Sequence, residues 1–218
     1  EVVRDAQEAL NQGAKELIIT GVNIGDFGRS TGETFLDLLR ALDTLHPTHH
    51  YRIRISSCEP NLLTDEIIEF VAQSRHFAPH FHIPLQSGSN EVLKIMKRRY
   101  TRELFAERVQ HIRQVMPHAF IGVDCMVGVR GETEEYWEDY LAFIKQLDVS
   151  QLHVFTYSER PNTRALGIEP VVDVHERHER CNKLIELSDA KLREFYMAYQ
   201  GTERTVLFEQ PAKGMPMH

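Results

Sequence analysis

Apolar and polar positions along the chain fall into two alternating patterns, short apolar runs and longer stretches with helical spacing. The runs are Glu16–Thr20, Tyr51–Ser57, Phe81–Leu85, Ala119–Val127 and Gln151–Tyr157, each short enough for a buried strand. Helical spacing covers Val2–Leu10, Phe35–Leu45, a segment starting at Thr64, Asn90 to near Tyr100, Thr101 to about Met116, and Glu134–Leu147. Regular alternation of this kind predicts an α/β fold built on an open parallel sheet of five strands, ordered as in the sequence and joined by right-handed crossovers.

After Pro161 the pattern changes. One long helix is predicted over Asp173–Tyr199, with Leu184, Ile185, Leu187, Leu192, Phe195 and Tyr196 available for packing. Thr205–Glu209 reads as a strand opening another module, and the tail from Gln210 carries no core pattern and is expected to be mobile. The stretch His80–Tyr100 organises the chain, because it joins a buried strand to a helix through the polar turn Gln86-Ser87-Gly88-Ser89-Asn90. Gly88 permits the tight reversal, and Ser89 or Asn90 is suited to cap the helix by accepting an orphan backbone N–H. Thr101 and Thr133 are expected to cap the helices that follow them.

Composition narrows the class. The 218 residues, 42% apolar and 26% charged, suffice for one large domain or a domain with an appendage. A mean hydropathy of −0.37 and the lack of a membrane-length apolar run predict a soluble protein with no membrane partner, and its expected location is cytoplasmic. The chain starts at Glu1 and not at Met, so the absence of a visible leader carries little weight. A net charge of −7 means that the overall field would not recruit a nucleic acid. The three cysteines, Cys58, Cys125 and Cys181, are far apart and odd in number, which points to buried thiols in a reducing compartment.

Chemistry in such a sheet sits at the carboxyl ends of the strands. Those ends are Thr20-Gly21-Val22-Asn23, Ser56-Ser57-Cys58-Glu59, Gln86-Ser87, Asp124 to Gly128, and Thr156-Tyr157-Ser158. Hydroxyls, amides and carboxylates recur there at equivalent positions, which favours one polar pocket over a set of unrelated helix caps. The pocket is rich in hydrogen-bonding groups and poor in activated nucleophiles, a combination that suits a cofactor carrying the difficult chemistry. Other features have plainer readings. The basic cluster Lys94, Lys97, Arg98, Arg99 and Arg102 suits a helix C-terminus. His80 and His82 share a strand face and read as core or interface histidines, and His175 and His178 as part of a solvated helix face. A TIM-type lyase or aldolase reading lacks a strand-end lysine, since Lys15 precedes its strand and Lys94 and Lys97 are helical.

The segments HFHIPLQSGSNEVLKIMKRRYT, RIRISSCEP, GVDCMVGVRGET and LHVFTYSERPNTRAL resemble motifs of the radical S-adenosylmethionine methylthiotransferases. The resemblance extends over Glu1–Leu166, and its spelling is most similar to the MtaB branch, which acts on threonylcarbamoyladenosine in tRNA. It implies a partial (β/α)6 TIM-like barrel, here lacking its first strand, and with that strand the CxxxCxxC loop that holds a 4Fe–4S cluster. Residues 1–166 would be the barrel core, 167–200 a helical extension, and 201–218 the start of a TRAM-like module or a disordered tail. Implied cofactors are S-adenosylmethionine and 4Fe–4S clusters with ligands outside this chain; implied partners are tRNA as substrate, a sulfur donor and an electron donor.

The resemblance also assigns site residues. Gly21 would lie beside the amino-acid end of S-adenosylmethionine, and Ser57, Glu59, Gln86 and Ser87 would line its pocket. Arg98 or Arg99, with Arg99 preferred, would reach the cofactor carboxylate; Val127 would pass by the adenine, and Phe155 would offer backbone groups to it. Two departures from the motifs stand out, Arg130 in place of a proline and Asn162 in place of a glycine. Readings from other classes are a cluster-free module binding a nucleic acid or cofactor on the same barrel, and a methylthiotransferase acting on a ribosomal protein.

Overall fold

The computed structural model describes residues 1–47 and 49–207. The chain forms β1 (Glu16–Ile19), β2 (Arg52–Ile55), β3 (His80–Gln86), β4 (Phe120–Val127) and β5 (Gln151–Thr156), all pairing in parallel. Helices α1 (Val2–Asn11), α2 (Phe35–Asp43), α3 (Asp65–Gln73), α4 (Asn90–Ile95), α5 (Arg102–Val115) and α6 (Glu134–Gln146) separate them, and α7 (Val174–Met197) follows the last. Strand order follows the sequence, as the alternation predicts. The ladder is sparse at one place. Regular pairing unites β1 with β2 and β3 with β4 and β5, while β2 meets β3 only through isolated bridges at Ile53–Phe77 and Ser57–His82. There the backbone of Ile53 bonds to His76 and Ala78 ahead of β3, and the Cys58 amide donates to the His82 carbonyl.

One face of this open sheet carries the core. Leu17, Ile19, Ile53, Ile55, Phe81, Ile83, Ile121, Val123, Cys125 and Leu152 pack there against the helices, with Leu39, Ile68, Phe105, Trp137 and Ile144 among their partners. Burying each such side chain contributes about 1.5–3 kcal/mol. Thr34, Thr64, Thr101 and Thr133 cap α2, α3, α5 and α6, each hydroxyl accepting from a backbone amide in the first turn. The helix α4 is shorter than its apolar spacing suggests. It ends in a Schellman-type turn: Lys97 is left-handed at φ 57, and the Arg98 amide donates to the Leu93 carbonyl at 2.9 Å. Neither Ser89 nor Asn90 caps it. Asn90 instead reaches to α5, accepting from the Arg102 amide and donating to Glu103.

The helix α7 differs most from its pattern. Leu184 is buried as expected, but Ile185 and Tyr196 face solvent, and the buried positions include Arg177, Arg180 and Ser188. The reason is the job this helix does. It covers the free edge of β5, where Ser188 donates to the Leu152 carbonyl at 2.9 Å and accepts from the Leu152 amide at 3.0 Å. Ser188→Ala should leave both backbone groups buried and unpaired, at about 1–3 kcal/mol, visible as a lower denaturation midpoint with an unchanged slope. Of the strand expected at Thr205–Glu209, residues Thr205 to Leu207 adopt no regular structure, and the remainder, with the tail from Gln210, lies outside the described residues. Among the described residues no helix is long and apolar enough to cross a membrane.

Candidate cofactor and substrate site

The sheet's second face, opposite the core, carries most of the strands' polar side chains, with Phe195 of α7 packed on Phe120 at one edge of it. Strand alternation puts Glu16, Arg52, Arg54, His80, His82, Asp124 and His153 on it, and the parallel registers align them across the sheet. Glu16 pairs with Arg52 and, at 2.9 Å, with Arg54. His80 stacks on Phe120 with ring centroids 5.2 Å apart. Burial, with the Arg54 charge behind it, lowers the His80 pKa from 6.5 to about 4. The folded chain therefore binds fewer protons here than the unfolded chain between about pH 6.5 and 4, and stability falls as pH drops through that window. His80→Leu should flatten the acid side of the stability profile across the same range.

A chain of hydrogen bonds runs from this layer to the carboxyl end of β2. Because a carboxylate only accepts, His82 Nε2 carries the proton and donates to Asp124 Oδ1 at 2.7 Å. The Ser57 hydroxyl then donates to His82 Nδ1 at 3.3 Å. His153 lies beside it, with ring centroids 5.0 Å apart, and burial next to His82 lowers its pKa. His82 had a bland reading in the sequence, and Asp124 stood out only as one member of a strand end. Their alternation with the core residues Phe81, Ile83 and Val123 was the available signal.

At the strand ends, the chain that leaves α4 folds back across the site. The left-handed turn at Lys97 swings Arg98 inward, and its Nη1 donates to Glu59 Oε1 at 3.5 Å. Arg98 Nε is buried and has no hydrogen-bond partner among the described residues, and neither has Asn61 Oδ1. Arg99, the residue preferred from the sequence, points to solvent; Arg98 is the one brought to Glu59.

Gln86 sits where β3 loses its register. Pro84 has no amide to pair, the register shifts between Pro84 and Gln86, and Gln86 takes φ 68. Its carbonyl accepts from the Tyr140 hydroxyl at 3.5 Å, while the side chain stays half-buried. Ser87 is fully buried and its hydroxyl accepts from the Ser89 amide at 3.2 Å, so it serves the turn. Gly21 is exposed at the start of the loop that follows β1, and the Val127 side chain is in the core with its carbonyl accepting from the Tyr157 amide. Phe155 is 53% exposed, on the face of β5 that bears His153.

Beyond β4, Glu132 closes its own loop by accepting from the Gly128 amide at 3.1 Å, and it faces Arg180 of α7. Gly128 has φ 73 and packs directly on the Arg177 stem, so a side chain there meets both backbone strain and a filled position. Arg130 finds partners in Glu159 and the Leu166 carbonyl, and Asn162 takes the left-handed conformation, φ 62. The thiols are not part of the site: burial pushes Cys58 and Cys125 up to about 12 and raises Cys181. Among the described residues, no group of three His, Cys, Asp or Glu is placed to hold a metal ion.

Comparison with known proteins bears on the family and the fold. Residues 1–144 match the radical SAM superfamily. The chain is 40% identical over 214 residues to the threonylcarbamoyladenosine tRNA methylthiotransferase MtaB of Bacillus subtilis, covering 98% of this chain and 47% of that protein. It is 32% identical to the tRNA-2-methylthio-N(6)-dimethylallyladenosine synthase of Desulfitobacterium hafniense, over 99% of this chain and 48% of that protein. The chain thus spans about half the length of the curated relatives it matches. Among solved structures, coproporphyrinogen III oxidase from Escherichia coli superposes with a TM-score of 0.63 at 16% identity, covering 87% of this chain and 45% of that one. With a family model that matches residues 1–144, well over half of its length, the chain belongs to the radical SAM superfamily.

Proposed function

We propose that this chain is the central, S-adenosylmethionine-binding part of a cytoplasmic tRNA methylthiotransferase that modifies threonylcarbamoyladenosine next to the anticodon. The observation that carries the reading is the 40% identity, across 98% of the chain, to an enzyme of that name. On this reading residues 1–166 are the barrel core, 167–200 its helical extension and 201–218 the opening of a TRAM-like module. Partners are tRNA, a sulfur donor and an electron donor.

The strand ends fit a zwitterionic cofactor. Arg98 Nε, buried and without a partner among the described residues, is a donor for the cofactor carboxylate, and Glu59 is an acceptor for its amino group. Ser57 and the Gln86 side chain offer further hydrogen bonds, and exposed Phe155 offers an apolar face to a ring. Asp124 fixes the His82 ring, and His82 in turn holds Ser57. When bound, S-adenosylmethionine would, on taking one electron from the electron-donor partner and releasing methionine, supply the deoxyadenosyl radical for hydrogen removal from the substrate base. The described residues do not fit a 4Fe–4S cluster, and the reading assigns its ligands to residues outside this chain.

The test is nucleoside mass spectrometry of tRNA from the source organism after disruption of the gene. Loss of the methylthio group from threonylcarbamoyladenosine alone supports the reading. Loss from the dimethylallyl nucleoside alone moves the chain to the neighbouring branch, and full retention of both contradicts it.

A further inference from the structure

Beside Glu59 and Arg98, and sharing the strand end at Tyr157, lies a mostly apolar cavity of about 290 Å3. Its walls are Ile95 and Met96 from the end of α4, Val129 from the β4–α6 loop, Tyr157 from the end of β5, and Ala165 and Ile168 from the 3-10 turn Arg164–Gly167 and its C-cap. The walls are fixed in place. Gly131, at φ 87, leaves no room for a side chain, since a Cβ would come within 2.8 Å of Ile95 Cδ1 and 3.0 Å of Ile168 Cγ2. Arg130 ties the same turn down by donating to the carbonyls of Leu166 at 2.6 Å and Ile168 at 3.5 Å.

Two exposed cations, Lys97 and Arg164, also line the cavity, and neither has an ion-pair partner among the described residues. Arg99 and Arg160, close by in sequence to the α4 turn and the β5 loop, are likewise exposed and unpaired among them. The neighbouring cations are spoken for: Lys94 by Glu91, Arg98 by Glu59, Arg102 by Asp139, and Arg130 and Arg177 by Glu159. Glu169 is the other carboxylate near Arg130. Two cations without an ion-pair partner among the described residues thus stand on the rim of one apolar hole, on a chain of net charge −7. Cations around an aromatic-bearing apolar hole match an unstacked nucleotide, with phosphate on the rim and base against the wall.

We propose that this cavity takes a second nucleotide of the tRNA substrate, unstacked from the anticodon loop, with its base against Tyr157 and Ile168 and its phosphates on Lys97 and Arg164. The inference rests on the tRNA reading above and deepens it. Phosphate contacts of this kind position the RNA, and an apolar pocket accepts a base by shape and stacking, with little hydrogen-bond readout.

Fluorescence anisotropy of the full chain with an anticodon stem-loop RNA tests it. Lys97→Ala with Arg164→Ala should weaken binding at all sequences and lower the slope of log affinity against log salt by about 1 for each contact removed. Tyr157→Ala should weaken binding roughly tenfold while leaving the salt slope unchanged. Thermal melting of each variant separates misfolding from lost contacts. A stem-loop carrying 4-thiouridine should crosslink to Met96 or Tyr157 in the unsubstituted chain, a readout independent of the variants. Unchanged affinity and slope in the well-folded double variant would overturn the proposal, as would crosslinks only elsewhere, or occupation of the cavity by an acidic peptide in place of RNA. If the gene-disrupted strain lacks the methylthio group but the double variant binds and restores it normally, the cavity proposal alone fails. Crosslinking at the cavity in a strain whose methylthio level never depended on the gene means that the function reading fails and the cavity stands.

Discussion

Arg180→Met is expected to destabilise the protein by about 3–5 kcal/mol, because it strands a buried carboxylate. Arg180 and Glu132 are 4% and 0% exposed at their side chains, and Glu134 and Glu176 complete the cluster. Burial already holds the Glu132 carboxyl above its ordinary value, against the pull of Arg180 and the Gly128 amide. Without Arg180 it rises further. The folded variant then binds a proton that the unfolded chain releases, so its deficit should grow as pH rises above the ordinary carboxylate range and shrink below it. For a chain of this length the loss corresponds to a melting point on the order of 10 °C lower near neutral pH. Adding Glu132→Gln to Arg180→Met removes the stranded charge and should recover part of the loss. A single variant melting within a degree or two of the parent would mean that the cluster is solvated. The same cluster fixes the Gly128–Thr133 loop to α7, so its loss should also disturb the strand-end site.

Arg98→Met should reduce S-adenosylmethionine affinity by tenfold or more in the intact enzyme while leaving the melting point nearly unchanged. Arg98 and Glu59 are 30% and 27% exposed, so their mutual pair contributes little to folding. On the proposed binding mode the cofactor carboxylate, in contrast, loses a charge-assisted donor, about 1.5–3 kcal/mol, and 1.4 kcal/mol is tenfold in affinity. Arg99→Met serves as the control, since Arg99 faces solvent. Calorimetric titration of the three proteins reads the difference. Equal affinities would place the cofactor carboxylate elsewhere.

That contrast also shows how far the sequence could be read. The five strands were legible because their apolar runs are short and their connecting helices amphipathic, and Thr101 and Thr133 sit where caps must be. The choice between Arg98 and Arg99 was not. It depends on Lys97 entering the left-handed region, which propensity disfavours in a lysine and only the tertiary packing of α4 imposes. The buried face of α7 was equally hidden, since nothing in the sequence marks Arg177, Arg180 and Ser188 for burial; β5 presents the edge and Glu132 the charge that bury them. In β3 the run His80–Gln86 looked uniform, and Pro84 gave the only notice of the bulge that turns Gln86. Asp124 and His82 lie 42 residues apart and meet only through the β3–β4 register.

The most direct measurement is complementation of the gene-disrupted strain with the parent gene, with Arg98→Met and with Arg99→Met, read by nucleoside mass spectrometry of its tRNA at matched protein levels. The parent and Arg99→Met should restore the methylthio group on threonylcarbamoyladenosine, and Arg98→Met should restore little of it. Restoration by Arg98→Met to the parent level would contradict the strand-end site, and failure of the parent gene to restore it would contradict the function built on that site.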